Sequence, residues 1–309
     1  MKKRMTKIMC CLVLGGAFLL LLPSTGLSQN CTAIMGGNSY STIQAAINDA
    51  TSHATISVTG TCNENLRITE GQDWLTLTGP SDKTATISGA NTPTISTICK
   101  GTTIKNFTIK GAAGIQVVWG GTAFIENNII ETGGDGIIIA FNSYGIIRGN
   151  TIQDNATNGI VVSDNSFARI GISSNTDKAS IPNTIQGNAY GVTIARCSSA
   201  QIIGNTISSN TYDGVRVVSV SQADISNNTI DGNNGNGIFV TQNSGVNLGN
   251  DTGDTIFDRP NTTTIENRLF GLKGTIGGYA DGLLGTLDGS KGRVFFDLRS
   301  INSTKPWVW

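Results

Sequence analysis

A glycine followed by an aliphatic residue recurs along this chain at Gly114-Ile115, Gly136-Ile137, Gly159-Ile160, Gly191-Val192, Gly214-Val215, Gly237-Ile238 and Gly271-Leu272. Four of the six intervals are 22 or 23 residues, and the others are 32 and 34, the same period plus about ten. Each unit carries a second phrase: Asn128-Ile129-Ile130, Asn150-Thr151-Ile152, Asn183-Thr184-Ile185, Asn205-Thr206-Ile207 or Asn228-Thr229-Ile230. A fixed period of this length describes units that bury their apolar faces against their neighbours, that is, a solenoid.

Aligned on the glycine, the columns separate by chemistry. Ile115, Ile137, Ile160, Val192, Val215 and Ile238 form one; Val117, Ile139, Val162, Ile194, Val217 and Val240 form another two positions on. Ile125, Ile147, Ile170, Ile202, Ile225 and Leu248 form a third. Their alternation with variable residues predicts short strands with one buried face. Two columns are asparagine, through Asn128 and through Asn155, Asn188, Asn210, Asn233 and Asn267. Asparagine tolerates turn conformations and its amide can bond to its copies along a stack, so these columns predict internal turn ladders. Low aromatic (6%) and charged (14%) content agrees with strands and turns rather than helices.

Residues 1–28 read as a signal peptide. Lys2, Lys3 and Arg4 precede an apolar run from Ile8 to Leu22, short for a membrane span, with small residues before a cleavage point after Ser28. This predicts a secreted, periplasmic or cell-surface protein with no membrane span after cleavage, in an oxidising compartment. Without Lys2, Lys3, Arg4 and Lys7, 17 basic residues face 21 acidic ones. A weakly acidic chain without a basic stripe is not a nucleic-acid binder. Cys31, Cys62, Cys99 and Cys197 remain, of which Cys31 and Cys62 are the candidate disulfide and Cys197 is expected to be a small buried filler.

Residues 29–90 are expected to hold a capping helix and the first coils. Ser41 or Thr42 can cap a helix running to about Ala50 or Ser52, with Ile43, Ala46 and Ile47 on one face, closing the exposed core at the solenoid's end. Strands follow at 55–59, 66–69, 75–78 and 85–88. The phrase Ser41-Thr42-Ile43-Gln44-Ala45-Ala46-Ile47, then Gly60-Thr61-Cys62-Asn63-Glu64-Asn65 and Leu75-Thr76-Leu77-Thr78-Gly79, resembles the N-terminal part of secreted β-helix proteins of the pectate-lyase-like superfamily. The Asn-Thr-Ile and Gly-Ile-x-Val repeats resemble the coils of the same superfamily. The fold expected is all-β: a single-stranded right-handed parallel β-helix with a short N-terminal capping α-helix, its repeats over 91–271 and a C-terminal cap or tail over 272–309. In that tail, Asp288 to Gly292 reads as a hairpin turn, and Trp307-Val308-Trp309 can dock on the last coil.

The resemblance does not bring an active site with it. Polygalacturonase-like enzymes carry Asn-Thr-Asp, Asp-Asp, Gly-His-Gly and Arg-Ile-Lys; here only Asn175-Thr176-Asp177 is present, inside an insertion. Gly60 to Glu64 matches the Gly-x-x-x-Glu phrase of pectin-methylesterase-like enzymes, whose other segments are absent. No pectate-lyase-like set of acidic ligands with an Arg base is found, and His53, the sole histidine, cannot complete an alginate-epimerase-like Tyr/His/Asp set. The candidate ligand contacts are Trp119, Phe141, Asp164 and Arg196, each five residues after its glycine, with Asp213 and Arg216. Rings stack on pyranose faces and guanidinium groups hold carboxylates. The insertions Gly171–Pro182 and Gly249–Pro260 are expected as loops on one face. Asp251, Asp254 and Asp258 of the second are candidate Ca²⁺ ligands, and no other cofactor is expected. The expected protein is a monomer that binds polysaccharide or a cell-envelope glycan without clear catalytic motifs. A polysaccharide lyase or glycoside hydrolase with an atypical site, and a structural or adhesin-type module, are the alternatives.

Overall fold

The computed structural model describes residues 31–249 and 255–305. The signal peptide (1–28), Asp251, Asp254 and the terminal Trp307-Val308-Trp309 lie outside them. The chain winds through three sheets of 13, 8 and 10 strands, parallel except for the antiparallel pairing of Thr32–Met35 with Asn38–Tyr40 and Thr55–Thr59, visiting the first, second and third sheet in turn. One coil shows the plan: Thr122–Glu126 in the first sheet, Ile129–Ile130 in the second, Ile137–Ile139 in the third, then Tyr144–Arg148 back in the first. Register follows the repeat. Ile115 pairs with Ile137, Ile137 with Ile160, Val192 with Val215 and Val215 with Ile238. The three aliphatic columns are all buried in one continuous core.

Both asparagine columns are buried ladders. Asn150 donates its Nδ2 to Asn183 Oδ1 (3.0 Å), Asn183 to Asn205 (2.8 Å) and Asn205 to Asn228 (3.1 Å). Each Oδ1 also accepts the backbone N–H of the previous rung, as Asn205 does from Asn183 at 3.0 Å. Each rung thereby satisfies buried groups that the tight turn leaves outside the strand pairing. The second ladder repeats the pattern through Asn155, Asn188, Asn210, Asn233 and Asn267.

The helix spans Ile43–Asp49 and buries Ile43, Ala46 and Ile47 over the first coil. Thr42 Oγ1 accepts from Ala45 N (3.1 Å). Glu64 completes the cap by accepting Ile43 N at 2.7 Å and Gln44 N at 3.0 Å, a carboxylate at a helix N-terminus. Cys31 and Cys62 are joined in a disulfide beside it. These two and Glu64 are the only cluster of metal-binding side chains among the described residues, and the oxidised sulfurs leave no thiolate to bind an ion.

Three expectations need correction. Cys197 is exposed rather than buried. It follows Arg196 in a turn where both residues have positive φ (55° and 59°), a geometry that points the side chain away from the core. Asp288 to Gly292 does not form a hairpin, because Gly292–Phe296 pairs in parallel with Phe270–Thr275. Coils also continue past Gly271: Leu272 stands beside Ile238 and Val294 beside Leu272, and Tyr279–Leu283 and Ile301–Lys305 extend the first sheet. No helix among the described residues is long and apolar enough to cross a membrane.

Candidate functional site

The turn from third to first sheet displays one variable residue per coil. Trp119, Phe141, Asp164, Arg196, Ser219 and Gln242 all adopt φ of 55–57° there. Left-handed backbone is costly for residues other than glycine, and here it turns Trp119, Phe141, Arg196 and Gln242 into solvent, with Asp164 and Ser219 half-buried among them. Trp119 is 69% exposed and Phe141 37%, and their rings stack at 4.4 Å between centroids. Next along the row, Arg196 meets Asp164 at 3.4 Å. This exposed pair neutralises itself and contributes little to stability.

The third sheet's outer face supplies the rest. Its middle column runs Arg67, Ser96, Gln116, Ile138, Val161, Thr193, Arg216, Phe239, Lys273, Phe295, each residue beside the next. At the N-terminal end a groove of about 410 Å³ is lined by Arg67, Ser96 and Gln116 and bounded by Trp119 and Phe141. At the other end Arg216 lies 5.2 Å over the Tyr190 ring, which stacks on Tyr212 at 4.9 Å. Lys273 sits between Phe239 (5.6 Å) and Phe295 (5.9 Å). Neither cation has an ion-pair partner among the described residues, and Arg216 Nε is buried with no hydrogen-bond partner.

Asp213 is the acid nearest this face in charge, acted on by both Arg216 and Lys273. It is 8% exposed, and its Oδ1 accepts both Asn236 N (2.8 Å) and Asn236 Nδ2 (2.7 Å). Burial pushes its carboxyl above the usual carboxylate value, against the hydrogen bonds from Asn236 and the charges of Arg216 and Lys273. Asp135, which precedes Gly136 as Asp213 precedes Gly214, does the same, accepting from Asn158 N and Nδ2. The repetition identifies the Asp as a turn fastener.

The sequence singles out Trp119, Phe141, Asp164, Arg196, Asp213 and Arg216 as candidates; Tyr190, Phe239, Lys273 and Phe295, which share this face with them, it does not. The available signal was the position two residues after each glycine, which lies between two core columns and must face outward. Glu64 and Arg67, three residues apart in sequence, serve different ends: Glu64 caps the helix and Arg67 faces the groove.

The insertions both leave the solenoid between the first and second sheets, after Phe167–Ile170 and after Gly245–Asn247. Ile172 of one and Ile256 of the other form a small separate core with Ile203, against which Phe257 packs. Asp177 accepts Ser173 N and Ser174 N within its own loop, and Asp258 accepts from Thr255 Oγ1 (2.7 Å).

Comparison with known proteins agrees with this architecture. A family model described as a right-handed beta helix region matches residues 34–180 and 171–267. Among solved structures, ORF18 of Geobacillus virus E2 superposes with a TM-score of 0.51 at 13% identity, over 86% of this chain and 57% of that one. The periplasmic alginate epimerase AlgG gives 0.44 at 14% identity over 99% and 100% of the two chains. The A-module of the Azotobacter vinelandii mannuronan C-5 epimerase AlgE4 gives 0.43 at 12% over 86% and 92%. At these identities the likeness is one of fold. No curated protein matches the sequence.

Proposed function

The chain belongs to the right-handed β-helix family, and on that premise we propose that it is an exported protein that binds an anionic polysaccharide along the outer face of its third sheet. One observation carries the reading: two cations, Arg216 and Lys273, stand against aromatic rings on a strand face with no carboxylate in salt-bridge contact among the described residues, their charge reaching only the buried Asp213. A guanidinium without a salt bridge, its Nε buried and unbonded, has more to gain from a carboxylate ligand than a hydrated surface arginine. Rings beside the cations offer apolar faces for pyranose rings, as Trp119 and Phe141 do at the other end. Periplasmic alginate epimerases share the fold type, which fits a uronate polymer as ligand class. Export is supported by the basic and apolar N-terminal segment and by the Cys31–Cys62 bond, which belongs to an oxidising compartment.

The test is binding of alginate and polygalacturonate to the mature protein, with unsaturated products and reducing ends followed in the same samples. Affinity is expected to fall with rising salt. Arg216→Ala and Trp119→Ala should each weaken binding about tenfold, a loss of about 1.4 kcal/mol, without changing the melting temperature by more than a few degrees. No retention of either polymer, or retention indifferent to both variants, would overturn the proposal. Turnover would convert it from a binding protein to an enzyme.

A further inference from the structure

We propose a second, independent glycan site on the first sheet, specific for neutral polysaccharide. It is the groove of about 260 Å³ on the first sheet between the two insertion loops. Gln201, Asp224 and Asn247 form its floor, one from each of three successive coils. Asn175 from the first loop and Phe257 and Asp258 from the second stand at its sides.

The walls are built rather than incidental. Two insertions three coils apart lean toward each other and share the apolar contact of Ile172, Ile203, Ile256 and Phe257. Ser226 Oγ donates to Ile256 O (3.2 Å) and Asn227 N to Arg259 O (2.8 Å), fixing the second loop to the coil beneath it. Arg169 fixes the first. Its Nη1 donates to Tyr144 Oη and to Ser173 O, both at 3.0 Å, its Nε to Gln201 Oε1 (3.2 Å) and its Nη2 to Asn175 Oδ1 (3.3 Å). That arginine orients Gln201 and Asn175 with their amide N–H groups left over for a ligand.

The floor contrasts with every inner column of the molecule. The buried asparagines are fully engaged in ladders, whereas Asp224 and Asn247 make no side-chain hydrogen bond among the described residues. Amide donors and carboxylate acceptors alternating at about 4.8 Å match the mixed donor and acceptor character of sugar hydroxyls. Phe257 adds an apolar surface for a ring face. The charge selects against uronates: Asp224 and Asp258 line the groove, and the arginine at its edge has four of its five N–H groups committed. Lys178 and Arg259 line a separate crevice between the loops.

The experiment uses the mature chain and three probes: laminarin, cellohexaose and galactomannan, measured by calorimetry with and without excess alginate. At least one neutral glycan should bind, with affinity unchanged in high salt and unaffected by alginate. Asp224→Ala combined with Asn247→Ala should lower that affinity at least about tenfold. Both side chains are exposed, so folding should survive; Gln201→Ala, one coil away, is the second variant and should weaken binding in the same direction. The proposal is overturned if none of the three binds, if alginate displaces the neutral glycan, or if binding survives the variants in a folded protein. Alginate binding measured alone reports separately on the third-sheet site, so either proposal can fail without the other.

Discussion

Truncating one rung of the first asparagine ladder, Asn205→Ala, should destabilise the protein far more than its size suggests. Asn205 Oδ1 accepts Asn183 N at 3.0 Å and Asn183 Nδ2 at 2.8 Å. Its Nδ2 donates to Ile170 O (2.9 Å), Ile203 O (3.2 Å) and Asn228 Oδ1 (3.1 Å). After truncation Asn183 Nδ2 keeps Ile147 O, and Asn228 Oδ1 keeps the backbone N–H of residue 205. The Asn183 N–H keeps nothing. A buried donor without a partner costs about 1–3 kcal/mol, and the four other lost bonds contribute about 1 kcal/mol each, for a total of about 5–7 kcal/mol. The measurement is urea unfolding with matched slopes, beside Gln186→Ala, which removes only a 3.4 Å contact to Gln153 on the outer face. The control should stay within about 0.5 kcal/mol. A loss below about 1 kcal/mol for Asn205→Ala would refute the claim that the ladder satisfies otherwise orphaned backbone groups.

Three further outcomes are expected. Burial raises the Asp213 carboxyl, so the folded protein holds that proton more tightly than the unfolded chain; the contribution is present below the ordinary value of 3.8 and is lost as pH rises through the raised one. Asp213→Asn, which retains an acceptor for Asn236, should therefore raise the melting temperature at pH 7 and give no gain at pH 3, and an equal shift at both would contradict this. Asp297 is held down to about 2, chiefly by Ile276 N and then by Ser300 Oγ, so its support for the last coil is present above 3.8 and fades as pH falls through about 2. The melting difference between the native protein and Asp297→Ala should vanish along that path. Removing the Cys31–Cys62 bond, which closes a 31-residue separation, should cost about 3–4 kcal/mol by loop entropy, read as a lower denaturation midpoint for the double Cys→Ala variant.

The core was readable because a stacked parallel coil forces the same demand on every repeat. A column that must be buried, such as Ile137 under Ile160, shows the same chemistry at the same interval. The turn ladders were readable for the same reason. Outer positions carry no such demand, so their identities vary and their significance appears only once neighbours in space are known. Arg216 and Lys273 are adjacent-but-one rungs of the same face, yet 57 residues apart with an insertion between them. The last coils escaped notice because the glycine phrase is lost after Gly271 while the packing column continues through Leu272 and Val294. Cys197 and Asp213 show the opposite limit: hydrophobicity suggested burial for the thiol and charge suggested exposure for the acid, and turn geometry reversed both.

The two-rung interval between Arg216 and Lys273 has an electrical consequence. With Phe239 between them, the side chains are rooted about 9.6 Å apart, close to the screening distance of about 8–10 Å in physiological salt. Two like charges at that interval scarcely repel while the face is wet, so holding them together costs the fold little. A polymer laid along the strip displaces the saline that separates them. Their fields then add over its carboxylates, and the face is strongly positive only toward something already bound to it.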